Sequence, residues 1–362
     1  MVYTPLSALV TSRPWWCVAL RASGWLLGAI ALLGSLLWGW GGLWFQWESN
    51  PFACWTLMAA WAATWLGLWW WAWRSSRVSL LWLGGMVVLG VFCLWWSSIA
   101  PRDDRPWADD VARITRIQSA DSGSDIVTLQ DVRNFDWRSE RDYAVRWDTR
   151  RYDLSQLRSV DVTLSYWMGP AIAHTLVSFG FAGGERVVFS FEIRKERGEA
   201  FDALAGFFKR YELALIAADE RDILGVRARV RGEQVHLYRV RMPDHAMRAL
   251  FREYAEQAAQ LHAAPRWYHT LTANCTTIVW QMARKLVDGL PLDWRLLASG
   301  YLPEYLKQVG GLTPSQPLDA LRRTGDITAR AQAWRPPMGA SDAEASADFS
   351  RTIRSGIPPL AP

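Results

Sequence analysis

The chain contains no phosphate-binding glycine loop, no dinucleotide fingerprint and no cysteine–histidine spacing of a zinc site, which removes the common nucleotide- and metal-dependent classes. No cofactor and no metal are expected. Cysteine is scarce: Cys17, Cys54 and Cys93 lie in or beside the first hundred residues, and Cys275 has no partner in the rest. A disulfide framework is therefore excluded, although Cys54 and Cys93, both toward the outer ends of their helices, could pair with each other. The first 23 residues lack a long apolar core ending at a small-residue cleavage site, so no removable signal peptide is expected.

Charge is absent from three stretches, Gly24–Phe45, Cys54–Trp73 and Ser79–Ile99. Each has the length, about 20 residues, at which a helix spans a hydrocarbon core. Three transmembrane helices are predicted within an anchor over residues 1–100, the first of them acting as the export signal. Of the 25 tryptophans, 18 fall in the first 107 positions. Arg13 and Arg21 precede the first span and Arg74 and Arg77 separate the second from the third, whereas "QWESNP" between the first two has no basic residue. This asymmetry predicts a cytoplasmic N-terminus in a bacterial inner membrane, with everything after the third span periplasmic or extracellular. Trp44, Trp47, Trp55, Trp95 and Trp96 then form an aromatic belt at the outer face.

Residues 101–120, opening "PRDDRPWADD", read as a polar linker that holds the next domain near lipid. Residues 121–312 carry the pattern of an α+β domain. Strands are predicted at "SDIVTLQDVRNF", "SVDVTLSYW", "HTLVSFGF", "RVVFSFEIR", "ELALIAA" and the pair "ILGVRARV" and "QVHLYRVR". Helices are predicted at "AFDALAGFFKRY", "PDHAMRALFREYAEQAAQLH" and "CTTIVWQMARKLV". Residues 313–362, rich in Pro, Ala, Ser, Arg and Asp, are expected to be disordered or loosely attached.

Within "TANCTT", Thr272 and Asn274 are capping candidates that put Cys275 in the first turn of a helix. There the dipole and unpaired backbone N–H groups favour a thiolate and offer donors to an oxyanion. Among five histidines, His236, His245, His262 and His269 read as surface or capping residues. His174 instead opens a hairpin whose Ala-Gly-Gly turn predicts a register: Phe179 opposite Val187, Val177 opposite Phe189, and His174 opposite Glu192. A carboxylate beside an imidazole fixes its tautomer and stabilises the imidazolium. Arg194 shares that face and competes for the carboxylate. A surface His–Glu pair and a merely buried cysteine remain the alternatives at this stage.

The blocks "DVRNFDWRSERDYAVRWDTRRYDLSQL", "DVTLSYWMGPAIAHTLVSFGF", "VVFSFEIRKERGE", "YELALIAADERDIL" and "RWYHTLTANCTT" resemble the extracytoplasmic domain of the Lnb-type lipoprotein intramolecular transacylases, over roughly residues 125–310. More distantly, a histidine before an Asn-Cys helix start is similar to the circularly permuted, papain-like NlpC-type thiol enzymes. The resemblance implies transfer of an acyl chain from a lipoprotein ester to Cys275 and from that thioester to an amine, with His174 as base. It makes Glu192, Arg194, Glu220 and Arg221 candidates for orienting His174 or holding a polar head group, and Asn274 and Tyr268 candidates for supporting the nucleophile loop. One departure is that the family's domain precedes its membrane segments, whereas here the spans come first.

The expected function is thus a membrane-anchored cysteine acyltransferase acting on membrane lipids or lipoproteins. A papain-like peptidase or amidase of the envelope, or a scaffold without catalysis, are the alternatives. Nucleic acid is not an expected partner of an exported domain, and the net charge of +5 is compatible with a surface beside anionic lipid without singling it out.

Overall fold

A computed structural model describes residues 15–119 and 124–358. It divides into a helical unit ending at Ala100, which also takes in Phe208–Arg210, and an α/β unit formed by the remainder. Arg13, on which the predicted orientation partly rests, lies outside the described residues.

The helical unit contains α1 (Trp15–Trp47), α2 (Pro51–Arg74) and α3 (Val78–Ser98). All three are long and apolar enough to cross a membrane, over Ala22–Trp47, Pro51–Arg74 and Val78–Ser98. Asn50 caps α2 by accepting from the Ala53 N–H, and Pro51 sits where its missing N–H costs nothing. Indole donors tie the helices together: Trp61 Nε1 donates to the Ser35 carbonyl at 3.2 Å and Trp40 Nε1 to that of Met58 at 3.1 Å. Phe92 is buried among Trp38, Trp61 and Trp96. Cys54 and Cys93 are unpaired.

The α/β unit is built from β1 (Arg116–Ser119), β2 (Ile126–Arg133), β3 (Asp136–Trp137), β4 (Tyr143–Ala144), β5 (Trp147–Asp153), β6 (Leu157–Met168), β7 (Ile172–Phe181), β8 (Arg186–Arg194) and β9 (Glu212–Ala218). There follow α4 (Glu220–Gly225), which runs into a π-helical turn at Val226–Val230, then β10 (Gln234–Val240), α5 (Asp244–Ala263) and α6 (Cys275–Leu286). Four shorter helices close the chain, α7 (Leu302–Gln308), α8 (Leu318–Gly325), α9 (Thr328–Ala333) and α10 (Asp342–Ile353). The main sheet has the order β1-β2-β9-β8-β7-β6-β10, with β5 also on β2. Among the described residues, only the β2–β9 strand pair is parallel.

The long strands are buried on both faces, because the sheet is covered on both. On one face Phe179 and Phe189 pack edge-on against Phe251 of α5, and Tyr254 stacks on Phe189. On the other, Leu176, Val188 and Ile216 meet Ile223 and Leu224 of α4, Ala331 of α9 and Phe349 and Ile353 of α10. The β7–β8 hairpin has the predicted register, with Phe179 opposite Val187 and Val177 opposite Phe189.

Four expectations are corrected. "ILGVRARV" is helical rather than a strand: Asp219 accepts from the Arg221 N–H as an N-cap, and Asp222 to Ala228 are buried throughout, a pattern the alternating valines disguised. "AFDALAGFFKRY" forms a single 3-10 turn at Ala205–Phe207, not a full helix. Part of the segment read as a polar linker belongs to the domain, for Trp107, Val111 and Ile114 are buried and Thr115 Oγ1 accepts from the Ala217 N–H. Residues 313–357 are folded, since four apolar residues of this segment, Ile327, Trp334, Phe349 and Ile353, enter the core.

Candidate active site

The loop His269–Ala273 is closed by two backbone hydrogen bonds between its end residues, of 3.1 and 3.0 Å. The next residue, Asn274, is the N-cap of α6; its side-chain carbonyl accepts from the Thr276 and Thr277 N–H groups at 2.9 and 2.8 Å, and its amide donates to the Thr270 carbonyl at 2.7 Å. Thr277 Oγ1 accepts from the Asn274 N–H, completing a capping box. Cys275 is thereby fixed as the first residue of α6. The cap already occupies the Thr276 and Thr277 N–H groups, so the Cys275 N–H is the first-turn donor left over for an oxyanion, fewer than the sequence suggested.

The first turn of α6 meets the start of β7. Thr276 Oγ1 is 2.7 Å from Thr175 Oγ1 and 3.9 Å from Cys275 Sγ, which faces the same cavity as His174. His174 Nε2 lies 2.6 Å from Ser190 Oγ and 3.1 Å from Glu192 Oε1, both on β8. Ser190 donates its own proton to Glu192 at 2.7 Å, which makes its oxygen an acceptor toward the imidazole. The proton of neutral His174 therefore sits on Nε2, and Nδ1 is the unprotonated nitrogen.

Electrostatics reinforce this arrangement. Burial disfavours a charged imidazole, but Glu192, only 3.1 Å away, overrides it and His174 is pushed up to about 9. Burial likewise pushes the Cys275 thiol up, yet the His174 charge, with hydrogen bonds from His174, the Thr175 amide and the Thr276 hydroxyl, brings it below the ordinary thiol range. Glu192 is half-buried, which works against its charge, yet His174 and Arg227 hold it well below the usual carboxylate range. Both shifts act in the direction of a thiolate–imidazolium pair.

Cys275, His174 and Glu192 line one cavity of about 210 Å³. Its walls combine apolar Val111, Trp167, Phe191 and Phe201 with Lys195, Arg231 and Asp110. Tyr268 lines it too, and its N–H donates to the Tyr211 carbonyl at 3.0 Å; burial raises its phenol.

Three predicted site residues lie elsewhere. Arg194 does not take Glu192: its guanidinium donates to the Val111 and Ala112 carbonyls, pairs with Asp103 and covers the Trp107 ring at 4.5 Å. It thus fastens the segment that leads into the domain. Glu220 accepts from Ser178, Ser350 and Arg354, anchoring α10. Arg221 donates to Asn134 Oδ1 and reaches Asp342 at the start of α10. The residue that does hold Glu192 is Arg227, with Nη2 3.0 Å from Oε1. No signal pointed to Arg227, because its segment read as a strand; Ser190 was detectable, two residues before Glu192 on the same strand face.

The arrangement is a cysteine thiol at a helix start in one cavity with a carboxylate-backed histidine. Residues 143–300, which include Cys275, His174, Ser190, Glu192 and Arg227, match the family model described as the Lnb N-terminal periplasmic domain, in agreement with the resemblance noted in the sequence. No curated protein and no solved structure shows significant similarity to the chain. Three apolar helices and a periplasmic-domain match together support an inner-membrane protein with a periplasmic domain.

Proposed function

We propose that the protein is a cysteine acyltransferase that moves a fatty-acyl chain between lipid or lipoprotein groups, with intramolecular lipoprotein transacylation as the leading case. The observation that carries this reading is the placement of Cys275 at the capped start of α6, in one cavity with a His174 whose Nε2 is held by Ser190 and Glu192. The family match to a lipoprotein-processing periplasmic domain supports the substrate class. A cytoplasmic N-terminus belongs to the same proposal, as it puts the domain on the side where lipoprotein acyl chains are exposed.

In the first half-reaction the Cys275 thiolate attacks the ester carbonyl, with the Cys275 N–H facing the developing oxyanion. The ester C–O bond breaks and the imidazolium proton passes to the departing alkoxide, leaving an alcohol and a thioester. In the second, an amine attacks the thioester carbonyl, neutral His174 takes an N–H proton, and the C–S bond breaks to regenerate thiolate and imidazolium.

A synthetic diacylglyceryl lipopeptide incubated with the full-length protein in detergent tests this. Transfer leaves the peptide mass unchanged while tandem mass spectrometry finds the chain on the terminal amine. Loss of an acyl mass without acylated amine indicates a hydrolase, and an unaltered lipopeptide contradicts the acyltransferase reading.

A further inference from the structure

Three donors converge on one oxygen of Glu192. His174 Nε2 at 3.1 Å, Ser190 Oγ at 2.7 Å and Arg227 Nη2 at 3.0 Å all meet Oε1. The other arm of Arg227, Nη1, lies 3.2 Å from Glu233 Oε2, which also accepts from the Ser165 hydroxyl. Ser165 is in turn the cross-strand partner of His174, so the network closes around the imidazole. Arg227 and Glu233 are buried, 6% and 9% exposed, in a position where neither interacts freely with water.

The charged groups around His174 come from several elements. Glu192 approaches from β8, Arg227 from the turn after α4, Glu233 from the segment before β10 and Cys275 from α6. Lys195 and Arg231, with Asp110 between them, and Tyr268 line the same cavity. Of these, Arg227 alone shares the carboxylate oxygen on which the imidazole leans. A guanidinium keeps its proton throughout the pH range of proteins, so it is a permanent competitor for that oxygen.

We infer that Arg227 is a positioning residue for proton transfer: bound to Glu192 with one arm and Glu233 with the other, it limits the hold of Glu192 on His174. The imidazolium formed from the thiol can then release its proton to the leaving group. Without that competitor the carboxylate would retain the imidazolium and stall the transfer after attack. This rests on the acyltransfer reading of Cys275 and His174, since a shared oxygen matters only if the imidazole changes its protonation during turnover.

The test is the pH profile of Cys275 alkylation by iodoacetamide, in the full-length protein in detergent, followed by peptide mass spectrometry so that the other cysteines do not interfere. The wild type should show a lower inflection where the thiolate forms and an upper one where the imidazolium loses its proton. Glu233→Gln frees Arg227 for Glu192, and its upper inflection should move to lower pH. Arg227→Met combined with Glu233→Gln removes one buried charge of each sign, and its upper inflection should move up, by about one pH unit for the loss of one adjacent charge. Arg227→Lys should stay close to wild type. Folded variants with unchanged upper inflections, or shifts in the same direction for Glu233→Gln and the double variant, overturn the inference. A wild type that titrates as a single ordinary thiol overturns instead the nucleophile–base reading beneath it.

Discussion

The hydroxyls of Thr175 and Thr276 lie 2.7 Å apart, one residue beyond His174 on β7 and one beyond Cys275 on α6. This contact joins the strand that carries the base to the helix that carries the nucleophile. Thr276→Val keeps the shape and removes the bond, leaving the Thr175 hydroxyl unpaired in a buried place. The expected cost is about 1 kcal/mol of stability, with a larger relative loss in acylation rate, because a small displacement of the nucleophile is amplified in the transition state. Thermal unfolding and single-turnover acylation of the variant check both parts; a loss of stability with an unchanged rate would show that the contact is structural only.

Cys275 should remain reactive at pH values where an ordinary thiol is protonated. Its ionisation is depressed, so alkylation should persist below the usual thiol range and fall away only as the pH drops through the lowered value. His174→Ala removes the principal lowering influence and leaves burial, the largest influence and of opposite sign, against only the Thr175 amide and the Thr276 hydroxyl. The midpoint of alkylation in that variant is therefore expected above that of a free cysteine, the opposite side from the wild type.

What could be read in the chain beforehand followed from strong local signals. Uncharged runs gave the three spans, and the Ala-Gly-Gly turn with alternating Phe and Val gave the β7–β8 register that sets His174 beside Glu192. Asn274 before Cys275 marked the helix start. What stayed hidden depended on non-local pairing. Arg227 reaches Glu192 from a π-helical turn whose valines imitate a strand, and Glu220 and Arg221 turned out to serve α10, far along the chain. The closing segment read as disordered because its composition is polar, whereas its stability comes from a few apolar side chains in contact with distant strands.

That segment should be essential to the domain. Arg354 pairs with both Asp161 and Glu220, which are buried, and Phe349 and Ile353 are 0% exposed. Phe349→Ala is expected to cost about 3–5 kcal/mol, and Arg354→Ala on the order of 3 kcal/mol by leaving buried carboxylates short of a partner. Although burial opposes ionisation of Asp161, Arg354, Arg186 and Arg239 bring it down to about 2, so its contribution is fully present above the ordinary carboxylate range and is lost as the pH falls toward that value. Thermal melts from pH 7 down to pH 2 should show the gap between wild type and Arg354→Ala narrowing in acid. An unchanged melting temperature after truncation at Ala340 would contradict this role.

The proposed orientation is open to a direct check in cells. Alkaline phosphatase fused after Ile357 should be active and green fluorescent protein fused there dark, as both reporters require for an exported C-terminal domain. The reverse pattern would place Cys275 in the cytoplasm and remove lipoprotein acyl chains as substrates.

The acyl-enzyme itself is the centre of the account. Intact and peptide mass spectrometry of protein purified from membranes should find a fatty-acyl mass on Cys275 that neutral hydroxylamine removes and that Cys275→Ser lacks, with its level altered in His174→Ala. A bare Cys275 thiol in both the wild type and His174→Ala, even after incubation with diacylglyceryl lipopeptide, would contradict the thioester mechanism.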